Sequence, residues 1–188
     1  MIVNQDNEYA ALFDSCVLVP MCLCDTLLRL ATDPAMYRPL WSSEILREVG
    51  DVLENKLKLT TEQRERRIGQ MQAAFPEALV DPPKDLAVGL VGIPDENDRH
   101  VLAAAITGQA HVIVTNNPGD FPIEYLAQFD ILRHSADDFL IHQFHLNPYL
   151  VLERLDAQAV NIRRERRAVL SSLKILTPKF VELVESFF

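Results

Sequence analysis

The chain has 188 residues, 48% of them hydrophobic, and its 18 basic and 27 acidic side chains leave a formal net charge of −9. That is enough for one domain of ordinary size, or one domain with a short appendage, and it needs no disulfide staples to fold. The acidic balance argues against loose, charge-driven binding to nucleic acid, and no run reaches the ~20 apolar residues of a membrane-spanning helix.

The first residues, Met-Ile-Val-Asn-Gln-Asp-Asn-Glu, lack the basic and apolar segments of a signal peptide. Residues 10–14, Ala-Ala-Leu-Phe-Asp, predict a short buried strand with Asp14 at its C-terminal edge. Cys16 lies in an apolar run and reads as a small buried hydrophobe. With Cys22 and Cys24 it makes three cysteines, an odd number without zinc spacing, which fits a reducing cytoplasm. Residues 20–31 carry Leu23, Leu27, Leu28 and Leu30 at helical spacing, and Asp33-Pro34 ends that helix. Residues 37–41 read as a short extended link.

Ser42 and Ser43 precede Glu44-Ile45-Leu46-Arg47-Glu48-Val49, an N-cap followed by a first-turn acid, so a helix is expected to run through Leu53 and Leu57. Thr60 and Gln63 have capping-box spacing and open another helix that fades by Phe75-Pro76. Pro82-Pro83 is a rigid turn, and residues 86–90 read as either strand or loop. Asp95 caps the next helix, in which Ala103-Ala104-Ala105 permits close approach to a sheet and Gly108 is the stop. Residues 110–115, Ala-His-Val-Ile-Val-Thr, are the clearest strand, followed by the polar loop Asn-Asn-Pro-Gly-Asp at 116–120. One more strand is expected at 129–132, and Ser135 caps a helix over 136–144. Beyond Pro148 no strand signal appears, and residues 149–159, 162–173 and 180–187 read as amphipathic helices.

Helices alternating with short apolar strands imply an α/β fold, a parallel sheet with helices on both faces. Sites in such folds lie outside the C-terminal ends of the strands, where Asp14 and the 116–120 loop both map. The candidate set is therefore Asp14, Glu44, Asp98, Asn117 and Asp120, each at an element edge. Oxygen donors of this kind suit Mg²⁺ or Mn²⁺, and several carboxylates in one pocket repel one another unless a cation or a shared proton compensates. Taken singly, each has a plain reading. Asp14 is an aspartate after a strand, Glu44 favours the positive end of its helix, Asp98 serves the Asp95 cap, and Asn117 and Asp120 form a turn.

In order, four segments of this set resemble the PIN-domain family of metal-dependent nucleases, which includes the VapC-type toxins of bacterial toxin–antitoxin pairs. Leu12-Phe13-Asp14-Ser15-Cys16-Val17-Leu18 resembles the family's first strand and acid, and Trp41-Ser42-Ser43-Glu44-Ile45-Leu46 the helix start bearing the second. The segment from Asp95 to Ala105, with Asp98 as its acid, is similar to the third motif. That from Val112 to Pro122 is similar to the strand and loop that bring the fourth position.

The resemblance implies a three-layer α/β/α fold over residues 1–144, with a helical C-terminal extension over 145–188. It implies a cytoplasmic Mg²⁺- or Mn²⁺-dependent endoribonuclease, the toxin of a type II pair, with RNA as substrate, a small antitoxin as partner and a homodimer as one arrangement. Asp14, Asp98 and Asp120 are then the metal ligands, with Glu44 nearby and Asn117 supplying a carbonyl or orienting a water. Thr115 is placed to hydrogen-bond a ligating carboxylate, or is simply a buried-edge threonine. Many relatives carry aspartate where Asn117 stands, which keeps open a catalytically weak or inactive domain acting as an interaction module. A DNA nuclease using the same metals is separated from an RNA nuclease by the resemblance alone. A phosphatase or nucleotide binder is disfavoured, since neither an Asp-x-Asp after the first strand nor a glycine-rich phosphate loop is present.

Arg99, beside Asp98, is a candidate phosphate clamp, though a solvated side chain is the slightly favoured reading. The run Arg163, Arg164, Arg166 and Arg167 reads as a solvated helix face, a grip for an acidic partner, or part of an RNA footprint. His100, His111 and His134 share no spacing and read as structural.

Overall fold

A computed structural model describes residues 9–187. Four parallel strands make one sheet: β1 (Ala10–Phe13), β2 (Arg38–Leu40), β3 (Val112–Val114) and β4 (Leu132–His134), in the order β2-β1-β3-β4. Leu12 of β1 stands opposite Leu40 on one side and Ile113 on the other, and Val114 stands opposite His134. Every residue of β1 and β3 is buried, as expected of central parallel strands covered on both faces.

The strand order makes the chain step from β1 to β2 in one direction, then back across β1 to β3 and β4. Right-handed crossovers therefore put α2 (Met21–Leu30) on one face. On the other lie α3 (Ser43–Asn55), α4 (Thr61–Ala74) and α6 (Arg99–Thr107). The direction of travel reverses between β1 and β3, which opens a crevice at their C-terminal ends. Two shorter helices stand outside this frame, α1 (Ser15–Leu18) directly after β1 and α5 (Lys84–Gly89) before α6.

The helix starts follow their caps. Ser42 accepts from the Ile45 N–H, and Thr60 and Gln63 make the reciprocal box that their spacing indicates. Ser43 adds a tie to the Asp81 carboxylate through both its N–H and its hydroxyl, each at 2.8 Å. A short α7 (Ile123–Leu126) leads into β4, and α8 (Ala136–Leu146) returns on the α2 face. There Phe139 packs edge-on against Phe13 and Tyr37 at ring separations of 5.8 and 4.9 Å.

Three further helices, α9 (Pro148–Asn161), α10 (Arg166–Leu173) and α11 (Pro178–Ser186), form an outer layer on α2 and α8. Polar bonds lock this layer in place. The buried Gln158 amide accepts from the Thr26 hydroxyl at 2.8 Å and donates to the Cys22 carbonyl at 3.0 Å. Asp137 of α8, also buried, accepts from the Lys179 and Phe180 N–H groups at 3.1 and 2.7 Å, so it caps α11 from another helix.

Several expectations are corrected. Residues 37–41 contain a strand of the sheet, and residues 84–89 are helical, neither strand nor loop. The last strand lies at Leu132–His134, not 129–132, and the helix expected over 162–173 begins only at Arg166, after a bend over residues 162–165. Among the described residues no helix is long and apolar enough to cross a membrane.

Candidate active site

Asp14 leaves β1 at the crevice, only 6% exposed, with its N–H on the Val114 carbonyl at 3.1 Å. Its Oδ2 accepts from the Thr115 hydroxyl at 2.6 Å and from the Cys16 thiol at 3.1 Å, and its Oδ1 accepts from the Ser15 hydroxyl at 3.3 Å. Thr115 Oγ1 in turn accepts from the Asn117 N–H at 3.1 Å, and Cys16 Sγ from the Asn116 N–H at 3.2 Å. A mesh of side chains thus ties the end of β1 to the end of β3. Cys16 is a polar member of it rather than the inert buried hydrophobe its sequence context suggests. Burial and the Asp14 charge push its thiol up to about 12, so it stays protonated and able to donate.

Asp98 ends a single helical turn, Glu96–Asp98, at the start of α6. Asp95 caps that turn by accepting from the Asn97 N–H at 2.9 Å. Burial pushes the Asp98 carboxyl up to about 6, reinforced by the negative charges of Asp120, Asp95, Asp14 and Glu48. Acids distant in sequence are therefore near enough to feel one another. Asp120 lies on the turn Pro118–Asp120, whose flanking carbonyls, of Pro118 and Phe121, accept from the Arg133 guanidinium of β4. Asn117, which opens that turn, is exposed and makes no capping bond.

Glu44 is engaged by a neighbouring cation, and the charge of His100 also reaches it. Arg47 grips both its oxygens, at 2.6 and 3.1 Å, and this pairing lowers its pKa. One turn further along α3, Glu48 is the glutamate whose charge reaches Asp98, and it shares a 2.9 Å hydrogen bond with His100 Nε2. The difference follows from helical phase. Ile45, Leu46, Val49, Gly50 and Leu53 make the buried stripe, Glu48 flanks it and Glu44 lies opposite. That phase is the signal by which Glu48 was readable. Arg99 does not extend into solvent. Its side chain is 17% exposed, it pairs with Glu96 at 3.5 Å, and among the described residues its buried Nε has no hydrogen-bond partner. His111 accepts the Ala10 N–H, and His134 packs on His142.

The donors at the crevice are almost all oxygens, and among the described residues no cation offsets the negative charges around Asp98, a chemistry that fits a hard divalent ion. Among the described residues, no three carboxylate, imidazole or thiol groups are already gathered tightly around one point.

A family model described as PIN domain matches residues 10–118. A protein of Mycobacterium tuberculosis (strain ATCC 25618 / H37Rv), named "Putative ribonuclease VapC50", is 49% identical over 49 residues, 26% of this chain and 29% of that protein. The match therefore spans less than a third of that relative's length. No solved structure matches.

Proposed function

This chain belongs to the PIN-domain family, and on that footing we propose that it is a divalent-metal-dependent endoribonuclease, the toxin of a type II toxin–antitoxin pair. The observation that carries the reading is that Asp14, Asp120 and Glu48, from three separate parts of the chain, all bring their negative charge to bear on the half-buried Asp98 at the crevice between β1 and β3. Asp14, Asp98 and Asp120 would hold Mg²⁺ or Mn²⁺, with Glu48 in the place that the resemblance gives to Glu44 and Asn117 offering a carbonyl. When bound, such an ion polarises a phosphoryl oxygen and lowers the pKa of an attacking water.

The residues around it have separable tasks. Thr115 and Cys16 fix Asp14 Oδ2, so the carboxylate cannot swing and Oδ1, with only the long Ser15 contact, is the oxygen left to the ligand. Arg133 holds the carbonyls on either side of Asp120 and so sets where that acid stands. His100 steadies Glu48. RNA as substrate, a small antitoxin as partner, a homodimeric assembly and a cytoplasmic setting accompany the reading.

The test is cleavage of mixed RNA and DNA pools with Mn²⁺ or Mg²⁺ by the wild type, Asp14→Asn and Asp98→Asn. We expect RNA to be cut by the wild type and loss of about a hundredfold or more in each variant, the usual scale for removing one electrostatic contact to the transition state. Cleavage retained in both variants moves the chemistry elsewhere. A second reading, a catalytically weak interaction module, is favoured by the neutral, exposed Asn117 and by the spacing of the acids, no three of which, among the described residues, meet at one point. Absence of Mn²⁺ uptake by the folded wild type decides for it.

A further inference from the structure

Most arginines in this acidic protein are engaged. Arg29, Arg47, Arg64 and Arg154 pair with carboxylates, and Arg67 and Arg133 bond backbone carbonyls. The bend between α9 and α10 is different. Arg166 is held by both oxygens of Asp156, which pins the bend to α9. Beside it Arg163, Arg164 and Arg167 are exposed and, among the described residues, pair with no carboxylate. Helix α9 ends in a left-handed cap. The Arg164 N–H reaches back to the Ala159 carbonyl at 2.9 Å, and Arg163 sits at φ 54°, where glycine or asparagine is the usual choice. The cap turns the chain so that three exposed guanidiniums, against the single carboxylate of Glu165, stand on one short corner.

The corner lies at the acid end of the sheet. Helix α8 starts directly after β4, at the C-terminal end of the strands, and runs away from it. Asn147 alone separates it from α9, which runs back. Near its end, Gln158 is bonded to Cys22 and Thr26, in the first turns of α2, just past the segment that carries Asp14. A polyanion approaching a cluster of carboxylates is repelled, so it needs a cationic seat outside the cluster.

We propose that Arg163, Arg164 and Arg167 form that seat, a docking surface on the C-terminal extension for the phosphate backbone of single-stranded RNA running to the crevice. The surface carries no sequence information and contributes affinity through charge. The inference rests on the ribonuclease reading for its substrate, and not on any role in the chemical step.

The experiment measures binding of a long single-stranded RNA and of a trinucleotide to the full chain in chelator, as a function of salt. Variants carry Arg163, Arg164 and Arg167 all changed to Gln, all to Glu or all to Lys. Losing three phosphate contacts should flatten the slope of log affinity on log salt by about 2 and weaken the long RNA about tenfold or more at moderate salt. A trinucleotide carries too few phosphates to fill the crevice and the seat together, so its binding should change less than that of the long RNA; the Mn²⁺ affinity should be unchanged, and the lysine variant should retain the slope. Unchanged binding and slope for the long RNA overturn the proposal, as does a wild type that binds no RNA. Loss of poly-glutamate binding with RNA binding intact would assign the corner to an acidic protein and overturn it too. A wild type that binds through this corner yet cuts nothing with Mn²⁺ or Mg²⁺ ends the nuclease reading and leaves the seat standing.

Discussion

Asp98 is where the cost of the site is concentrated. Its carboxyl is raised from 3.8 to about 6 in the folded chain, so the folded state binds its proton more tightly than the unfolded state does. That shift destabilises the metal-free fold progressively as pH rises through this window, fully above it and not at all below the unfolded value. Asp98→Asn removes the titrating group. In chelator the variant should gain thermal stability over the wild type between about pH 4 and 6, and keep a constant advantage above that. With saturating Mn²⁺ the order should reverse, because the wild type gains stability from binding and the variant gains less. Melting curves at several pH values, with and without Mn²⁺, check both arms. An advantage that does not change with pH would mean that neither burial nor the acidic neighbours raise the Asp98 carboxyl. Single residues were legible to different degrees. Asp14, Asp98 and Asp120 stood out because each is an acid at an element edge, whereas Glu44 and Glu48 share one helix and only their phase against the buried stripe separates them. Cys16 was hidden by its apolar neighbours in sequence, since its partners Thr115 and Asn116 lie about a hundred residues away.

At the scale of elements, caps were the dependable signal, and exposed short elements the undependable one. Ser42, Thr60 with Gln63, and Ser135 each start the helix their chemistry indicates. Helix α5 buries no residue, so it leaves no apolar stripe to read. Strand β4 is an edge strand whose Leu132 is 57% exposed, while the apolar neighbour Ile131 that suggested a strand is buried in the turn before it. The start of α11 shows a device that no local pattern could reveal: its cap, Asp137, belongs to α8, some forty residues earlier. Replacing Asp137 with Ala removes two bonds to otherwise unpaired N–H groups at a buried site and should cost about 1–3 kcal/mol. Asp137→Asn keeps one acceptor oxygen and should lose less. Urea titration of both variants measures the difference, and equal midpoints for wild type and Asp137→Ala would show that α11 does not depend on this cap.

For the whole molecule, the question is whether residues after Leu146 form a separable unit or complete the core. The family model ends at residue 118, and the sequence pattern divides near 145, yet the packing runs across that division. Val151 and Leu155 of α9, Leu173 of α10, and Phe180, Val181 and Val184 of α11 are all essentially buried. At about 1.5–3 kcal/mol for each buried side chain, their gross contribution is on the order of 10 kcal/mol, comparable with the whole net stability of a typical domain. Ending the chain after Leu146 would also strand Thr26, 2% exposed, without its Gln158 partner and leave the outer faces of α2 and α8 bare. The shortened chain should therefore be insoluble or bind a hydrophobic dye strongly, and the full chain should unfold in a single transition by circular dichroism and fluorescence alike. A soluble 1–146 fragment with the wild-type melting temperature and Mn²⁺ affinity would make the extension an independent domain. If the fragment collapses instead, the helices that carry the arginine corner hold the fold together as well. The corner must then be probed by substitution within the full chain rather than by truncation.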